Sequence, residues 1–209
     1  MRKIRIAIAI PSCTISRKLV RQAKKKFAKY NLEIVDSNLQ NLEKKHHPFK
    51  DRPDLLAKEI ENLFKSEVTD AIICANSGYG AQLVAEHIDY NILKQNPKIF
   101  IGYGDATILL NGINKQTGLI TQHGPNLTDI LALDSKKLYR FLYDNIAKNF
   151  KPLLKQENIT KAEIIKEGSA TGKLVGGNLS AISATIATKN EIEFKLSLIH
   201  ISEPTRPIR

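Results

Sequence analysis

The residues of this sequence best equipped for chemistry fall in three short turns: Asn76-Ser77-Gly78-Tyr79-Gly80, Gly102-Tyr103-Gly104-Asp105 and His123-Gly124-Pro125. Between them they offer one hydroxyl (Ser77), two phenols (Tyr79 and Tyr103), a carboxylate (Asp105), an imidazole (His123) and several glycine N–H groups. Open backbone N–H groups at such turns could be taken for phosphate cradles. Gly78-x-Gly80 and Gly102-x-Gly104 lack the further glycine and the Lys-Ser/Thr pair of a nucleotide loop, which argues against dinucleotide or ATP binding. Cys13 and Cys74 form no CxxC, and no Cys/His cluster stands at ligand spacing, so neither a zinc site nor a disulfide scaffold is expected. His46-His47 lies in a polar stretch with no acidic partner at ligand spacing and reads as a solvated pair. No metal and no cofactor is expected.

Those turns need strands before them and helices after them, and the sequence supplies both. Ile4 to Ile10, Asp70 to Ala75 and Lys98 to Tyr103 are apolar runs typical of buried parallel strands. Leu32 to Val35 and Leu119 to Thr121 are shorter strand candidates. Helical spacing runs from Ile15 to Tyr30 with Thr14 as N-cap, from Asp54 to Phe64, over Ala81 to His87, over Ala106 to Ile113 and over Ser135 to Lys148. Asn38 to Pro53 is polar and reads as a loop. Alternating strands and helices predict an α/β fold with a parallel sheet and helices on both faces. In such sheets ligands bind beyond the carboxyl ends of the strands, where all three turns should lie.

The chain has 209 residues, 42% hydrophobic and 25% charged, which is ordinary globular composition. Residues 1–150 fit one domain. Residues 151–196 change character, with strands at Lys161 to Lys166 and Gly172 to Val175 and a helix from Leu179 to Ala187. Leu179, Ile182 and Ile186 then lack an obvious partner. The net charge of +11 would suit nucleic acid, but the lysines are spread along the chain. Only Lys24-Lys25-Lys26 clusters, without interleaved aromatics to stack on bases, so no nucleic-acid partner is expected. No run of eighteen apolar residues exists, so no membrane span is expected. Met1-Arg2-Lys3 before Ile4 to Ile10 imitates a signal peptide, but Arg5 interrupts the run, and a cytoplasmic protein is expected.

The turns also carry a resemblance. Ser77-Gly78-Tyr79-Gly80 with Ile88-Asp89-Tyr90 resembles the RGGYG…LD segment of the LD-carboxypeptidases, serine peptidases that trim cell-wall muropeptides. Asn96-Pro97-Lys98-Ile99-Phe100-Ile101-Gly102-Tyr103-Gly104-Asp105-Ala106-Thr107 matches that family's nPK-x-[fi]-GYSD-x-T block. Thr117 to Pro125 matches tGl-x-t-x-HGP, and Gly172 to Ser180 matches G-x-l-x-GGNLs. The resemblance implies a flavodoxin-like N-terminal domain, a small β-rich C-terminal domain and an active site between them. It implies hydrolysis of an L,D-amide bond, with a muropeptide or related small peptide as partner; a homodimer is a possible assembly. The N–H groups of Gly78 and Asp105 become its oxyanion donors, and Asn76, Ser77, Tyr79, Tyr103 and His123 line its substrate side. His123 could equally be a residue that orders its loop.

The departures from the family pattern are specific. Gly104 stands where the nucleophilic serine should be; it suits the tight turn but has no oxygen to attack a carbonyl. Ser77, Cys74 and Thr107 are poor replacements. Asn76 replaces an arginine. The family's Glu and His come from the C-terminal domain, but Glu191 and Glu193 lack the family context, and His200 and Glu203 lie in a stretch that resembles a translated sequencing adapter. That stretch, within residues 197–209, is read as non-native, and 151–196 as the opening of an incomplete C-terminal domain. No triad assembles by residue matching. Asp105 reads chiefly as a helix N-cap. The expectation is therefore a family member whose chain as written is inactive; the alternatives are a peptide-binding remnant and, more remotely, a basic nucleic-acid-binding protein.

Overall fold

A computed structural model describes residues 3–12, 15–35, 52–132, 168–169, 171–194 and, for the backbone alone, 197–203. Thr14, Cys13, His46-His47, most of the Asn38 to Pro53 stretch, the Ser135 to Lys148 helix and the Lys161 to Lys166 strand lie outside the described residues.

β1 (Ile4–Ala9), β2 (Leu32–Ile34), β3 (Ala71–Cys74), β4 (Ile99–Gly102) and β5 (Gln122–His123) form one sheet in the order β2-β1-β3-β4-β5. Every pairing is parallel, with Ile8 opposite Ile73 and Ile73 opposite Ile101. The strands are apolar because both faces are covered by helices. Ile6, Ile8, Ile72, Ile73, Phe100 and Ile101 are all fully buried. α2 (Pro53–Lys65), α3 (Ala81–His87), α4 (Tyr90–Gln95) and α5 (Thr107–Thr117) pack together, as do α1 (Arg17–Ala28) and α6 (Leu127–Ala132). Phe64 of α2 stacks on Phe100 of β4, ring centroids 5.9 Å apart. No helix among the described residues is long and apolar enough to cross a membrane.

Three sequence expectations are corrected. α1 is capped by Ser16, whose Oγ accepts the Leu19 N–H at 3.3 Å, so the helix begins after Thr14. The strand expected at Leu119 to Thr121 is instead Gln122–His123; Ile120 is 68% exposed, so its side chain carries no core signal. α4 and α6 are short helices that the periodicity did not separate from their flanking loops.

The C-terminal stretch is tied to this domain. β6 (Lys173–Asn178) leads into α7 (Leu179–Ser183), where Asn178 Oδ1 caps the Ala181 N–H at 3.0 Å. Ser197–Glu203 forms β7, which runs parallel to β6 in a separate two-stranded sheet. Ala181, Ile182 and Ile192 are buried, so part of the apolar face expected to lack a partner has one; Leu179 and Ile186 stay exposed. α7 also ends earlier than the predicted Ala187, which takes a positive φ of 62°.

A polar network centred on the buried Asn190 closes this junction. Tyr90 Oη donates to Asn190 Oδ1 at 2.8 Å, and Asn190 Nδ2 donates to Glu86 Oε1 at 3.0 Å. Burial, with the Glu86 carboxylate adding to it, pushes the Tyr90 phenol well above its usual range, so it stays a donor. Lys189 Nζ donates to the Glu86 carbonyl at 2.7 Å. Removing a buried partner strands the groups it served, at about 1–3 kcal/mol. Asn190→Ala should therefore lower the urea-unfolding free energy by about that amount, whereas the exposed control Lys94→Ala should change it by less than about 0.5 kcal/mol.

Candidate active-site edge

The parallel register sets the ends of β3, β4 and β5 side by side, and the three sequence turns follow them directly. The turns are joined by side chains reaching from one to the next. Asp105 Oδ1 accepts the Gly78 N–H at 3.0 Å, and the Asp105 N–H donates to Ser77 Oγ at 3.3 Å. Asn76 Oδ1 accepts the Ser77 N–H at 2.8 Å and the Thr128 hydroxyl at 3.4 Å. Asn126 Oδ1 accepts the Tyr103 N–H at 3.3 Å, and the Gly124 N–H donates to the Gly102 carbonyl at 3.0 Å.

Asp105 thus works differently from its expected main role. It lies in a one-turn 3-10 helix, Gly104–Ala106, and Ala106 is the N-cap of α5 without a side-chain cap bond. The Asp105 carboxylate spans two turns instead, and its Oδ2 is buried without a hydrogen-bond partner. Both N–H groups singled out as oxyanion donors, of Gly78 and Asp105, are engaged by side chains of this edge.

Gly104 has φ +68°, where a side chain is strained. A Cβ there would overlap Ser77 Oγ and approach Ser77 Cβ to 2.8 Å. Thr107 is fully buried, and its Oγ1 accepts the Asn178 N–H at 3.1 Å. Gly177, φ +130°, sits so close that a Cβ would come within 2.5 Å of Thr107 Cγ2. The β6–α7 turn is therefore seated directly on the start of α5. Cys74 is fully buried, and burial, with the Asp105 carboxylate adding to it, pushes its thiol well above its usual range.

Tyr79 is 78% exposed at the rim, and the rings of Tyr103 and His123 meet edge-on with centroids 6.3 Å apart. Of the candidate carboxylates, Glu191 accepts the Ala187 N–H at 2.9 Å. Glu193 lines a small pocket with Asn114 and Lys115, along α5 and away from its N-terminal turn. His200 is placed by its backbone in β7, opposite Gly176. The edge therefore brings together Asn76, Ser77, Gly78, Gly104 and Asp105, while Glu191 and Glu193 serve other contacts. Sequence reasoning missed Asn126 and Thr128; an Asn directly after His123-Gly124-Pro125, at a helix start, was the available signal.

The order 2-1-3-4-5 with functional groups at its carboxyl edge defines a flavodoxin-like α/β protein. The family model described as the LD-carboxypeptidase N-terminal domain matches residues 6–124, and the chain belongs to that family. A Bacillus subtilis (strain 168) protein named "Probable murein peptide carboxypeptidase" is 33% identical over 167 residues, 78% of this chain and 51% of that protein. The Escherichia coli microcin C7 self-immunity protein MccF is 27% identical over 153 residues, 61% of this chain and 44% of its own. The chain spans about half the length of the curated relatives it matches. Among solved structures, apo MccF in an inactive mutant superposes with TM-score 0.72 at 21% identity, covering 96% of this chain and 68% of that one. The muramoyltetrapeptide carboxypeptidase from Oxalobacter formigenes gives 0.61 at 18%, covering 90% and 62%. Both share the fold.

Cys74 yields a prediction. Its thiol stays protonated when folded, while an unfolded thiol ionises near pH 8.5. Above that pH the unfolded state binds fewer protons than the native state, so stability falls as pH rises. In a Cys13→Ser background, alkylation of Cys74 should track global unfolding in urea; rapid modification of the folded protein at pH 8 would contradict this placement.

Proposed function

We propose that this chain forms the sheet-edge wall of a peptide site of murein-peptide carboxypeptidase type, receiving a small peptide that ends in an L,D-amide bond. One observation carries the reading: the turns after β3, β4 and β5, which hold the family's motifs, are locked into a single edge by Asp105, Asn76 and Asn126. The exposed Tyr79 and the Tyr103–His123 pair supply apolar and polar contact surface beside it. We place its action in the cytoplasm, on peptides recovered from the wall, and take the scattered lysines as general surface charge rather than a nucleic-acid footprint. MccF, crystallised with aspartyl sulfamoyl adenosine, is a relative of the same fold that accommodates a compact aminoacyl conjugate, in keeping with a small peptide-like ligand.

The chain as written is a binder rather than a hydrolase. Position 104 has no side chain, and among the described residues nothing accepts the proton of the Ser77 hydroxyl. Loss of triad members costs on the order of a million-fold in turnover. Incubation with a muropeptide tetrapeptide should release no D-Ala above the buffer control by mass spectrometry, while NMR titration should shift the amides of Ser77, Gly78 and Asp105. Turnover would contradict the first claim; unshifted edge amides at saturating peptide would contradict the site.

A further inference from the structure

Ser77 and Gly104 lie 27 residues apart in sequence yet compete for one volume. Rotating the Ser77 side chain would move its Oγ away from a Cβ at 104, but Ser77 Cβ would remain 2.8 Å from it. Only a glycine at 77 clears the space fully. The motif pattern this chain resembles has the reverse assignment, glycine at 77 and serine at 104.

We propose that the two turns have exchanged their serine, so that Ser77 now presents the edge's hydroxyl, from the neighbouring turn, to the carbonyl of a bound peptide. The proposal rests on the peptide-site reading above. Ser77 is half-buried and followed by the exposed Gly78 and Tyr79, so it stands on a turn that faces solvent. Its position is fixed from two sides: Asn76 Oδ1 holds its N–H, and the Asp105 N–H is donated to its Oγ. An N–H aimed at that oxygen favours a build-up of negative charge on it. The competing groups are shut away, since Thr107 and Cys74 are fully buried. With no proton acceptor on Ser77 among the described residues, the hydroxyl is placed but not activated.

A boronic acid can report such a hydroxyl without needing turnover. Ser77 Oγ adds to the trigonal boron, a B–O bond forms, the hydroxyl proton passes to buffer, and boron becomes tetrahedral. The full 209-residue chain would be mixed with an N-acetylated boronic acid analogue of L-alanine, its boron standing where the carbonyl carbon of the L-residue would lie, and followed by boron NMR. The expected result is a tetrahedral signal with the wild-type chain, none with Ser77→Ala, and its return in Ser77→Gly/Gly104→Ser. Alongside, Gly104→Ser alone should melt several degrees below wild type, and adding Ser77→Gly should recover the part of that loss that comes from the clash, leaving the part that comes from φ. No tetrahedral boron with the wild type, or a signal that survives in Ser77→Ala, overturns the proposal, as does a Gly104→Ser protein as stable as wild type. Tetrapeptide binding without a boron adduct would overturn the Ser77 assignment and leave the peptide site standing. An adduct without tetrapeptide binding would support the Ser77 assignment and remove the peptide site.

Discussion

The edge of this sheet depends on one reciprocal clasp. Asp105 accepts the Gly78 N–H with its carboxylate and gives its own N–H to Ser77 Oγ, so each turn completes the other. The clasp forms because β3 and β4 are parallel neighbours with Ile73 opposite Ile101, which delivers both chains to the same edge at the same height. Hydrogen bonds to a carboxylate are about twice as strong as neutral ones. Much else follows from it. Ser77 fills the space beside Gly104, so with Ser77 in place a side chain at 104 meets both a strained φ of +68° and a lack of room. The Asp105 carboxylate also helps keep the buried Cys74 thiol neutral.

The second constraint is the seat of β6 and α7 on α5. Gly177 admits Thr107 at a distance no side chain would allow, and the Asn178 N–H meets the Thr107 hydroxyl before Asn178 turns to cap α7. Asn111 Nδ2 reaches the Gly176 carbonyl at 2.9 Å one helical turn further on. The glycine pair of this turn therefore serves close packing. It brings the C-terminal stretch onto the start of the helix that follows Asp105, beside the edge formed by the three turns. The Asn190–Tyr90–Glu86 network pins the far end of the same stretch.

The parallel sheet was legible because its strands are buried on both faces and so read as unbroken apolar runs, as in Ile4 to Ile10 and Asp70 to Ala75. β5 is hidden because its two polar residues carry no period, while the apolar Leu119-Ile120 beside them imitates a strand. The turns were found from glycine and polar residue types alone. Their wiring was not. Asp105 looks locally like a helix cap, and only the fold reveals that its acceptor meets an N–H 27 residues away. The Ser77–Gly104 contact is hidden for the same reason: nothing local in either turn records what the other contains.

Amide hydrogen exchange in wild type and Asp105→Ala tests the clasp most directly. In the wild type the Gly78 amide should exchange more slowly than that of Tyr79, its neighbour on the same exposed turn. In Asp105→Ala that protection should vanish while the Ile72 and Ile73 amides inside the sheet keep theirs. A Gly78 amide that exchanges at the same rate in both proteins would contradict the account.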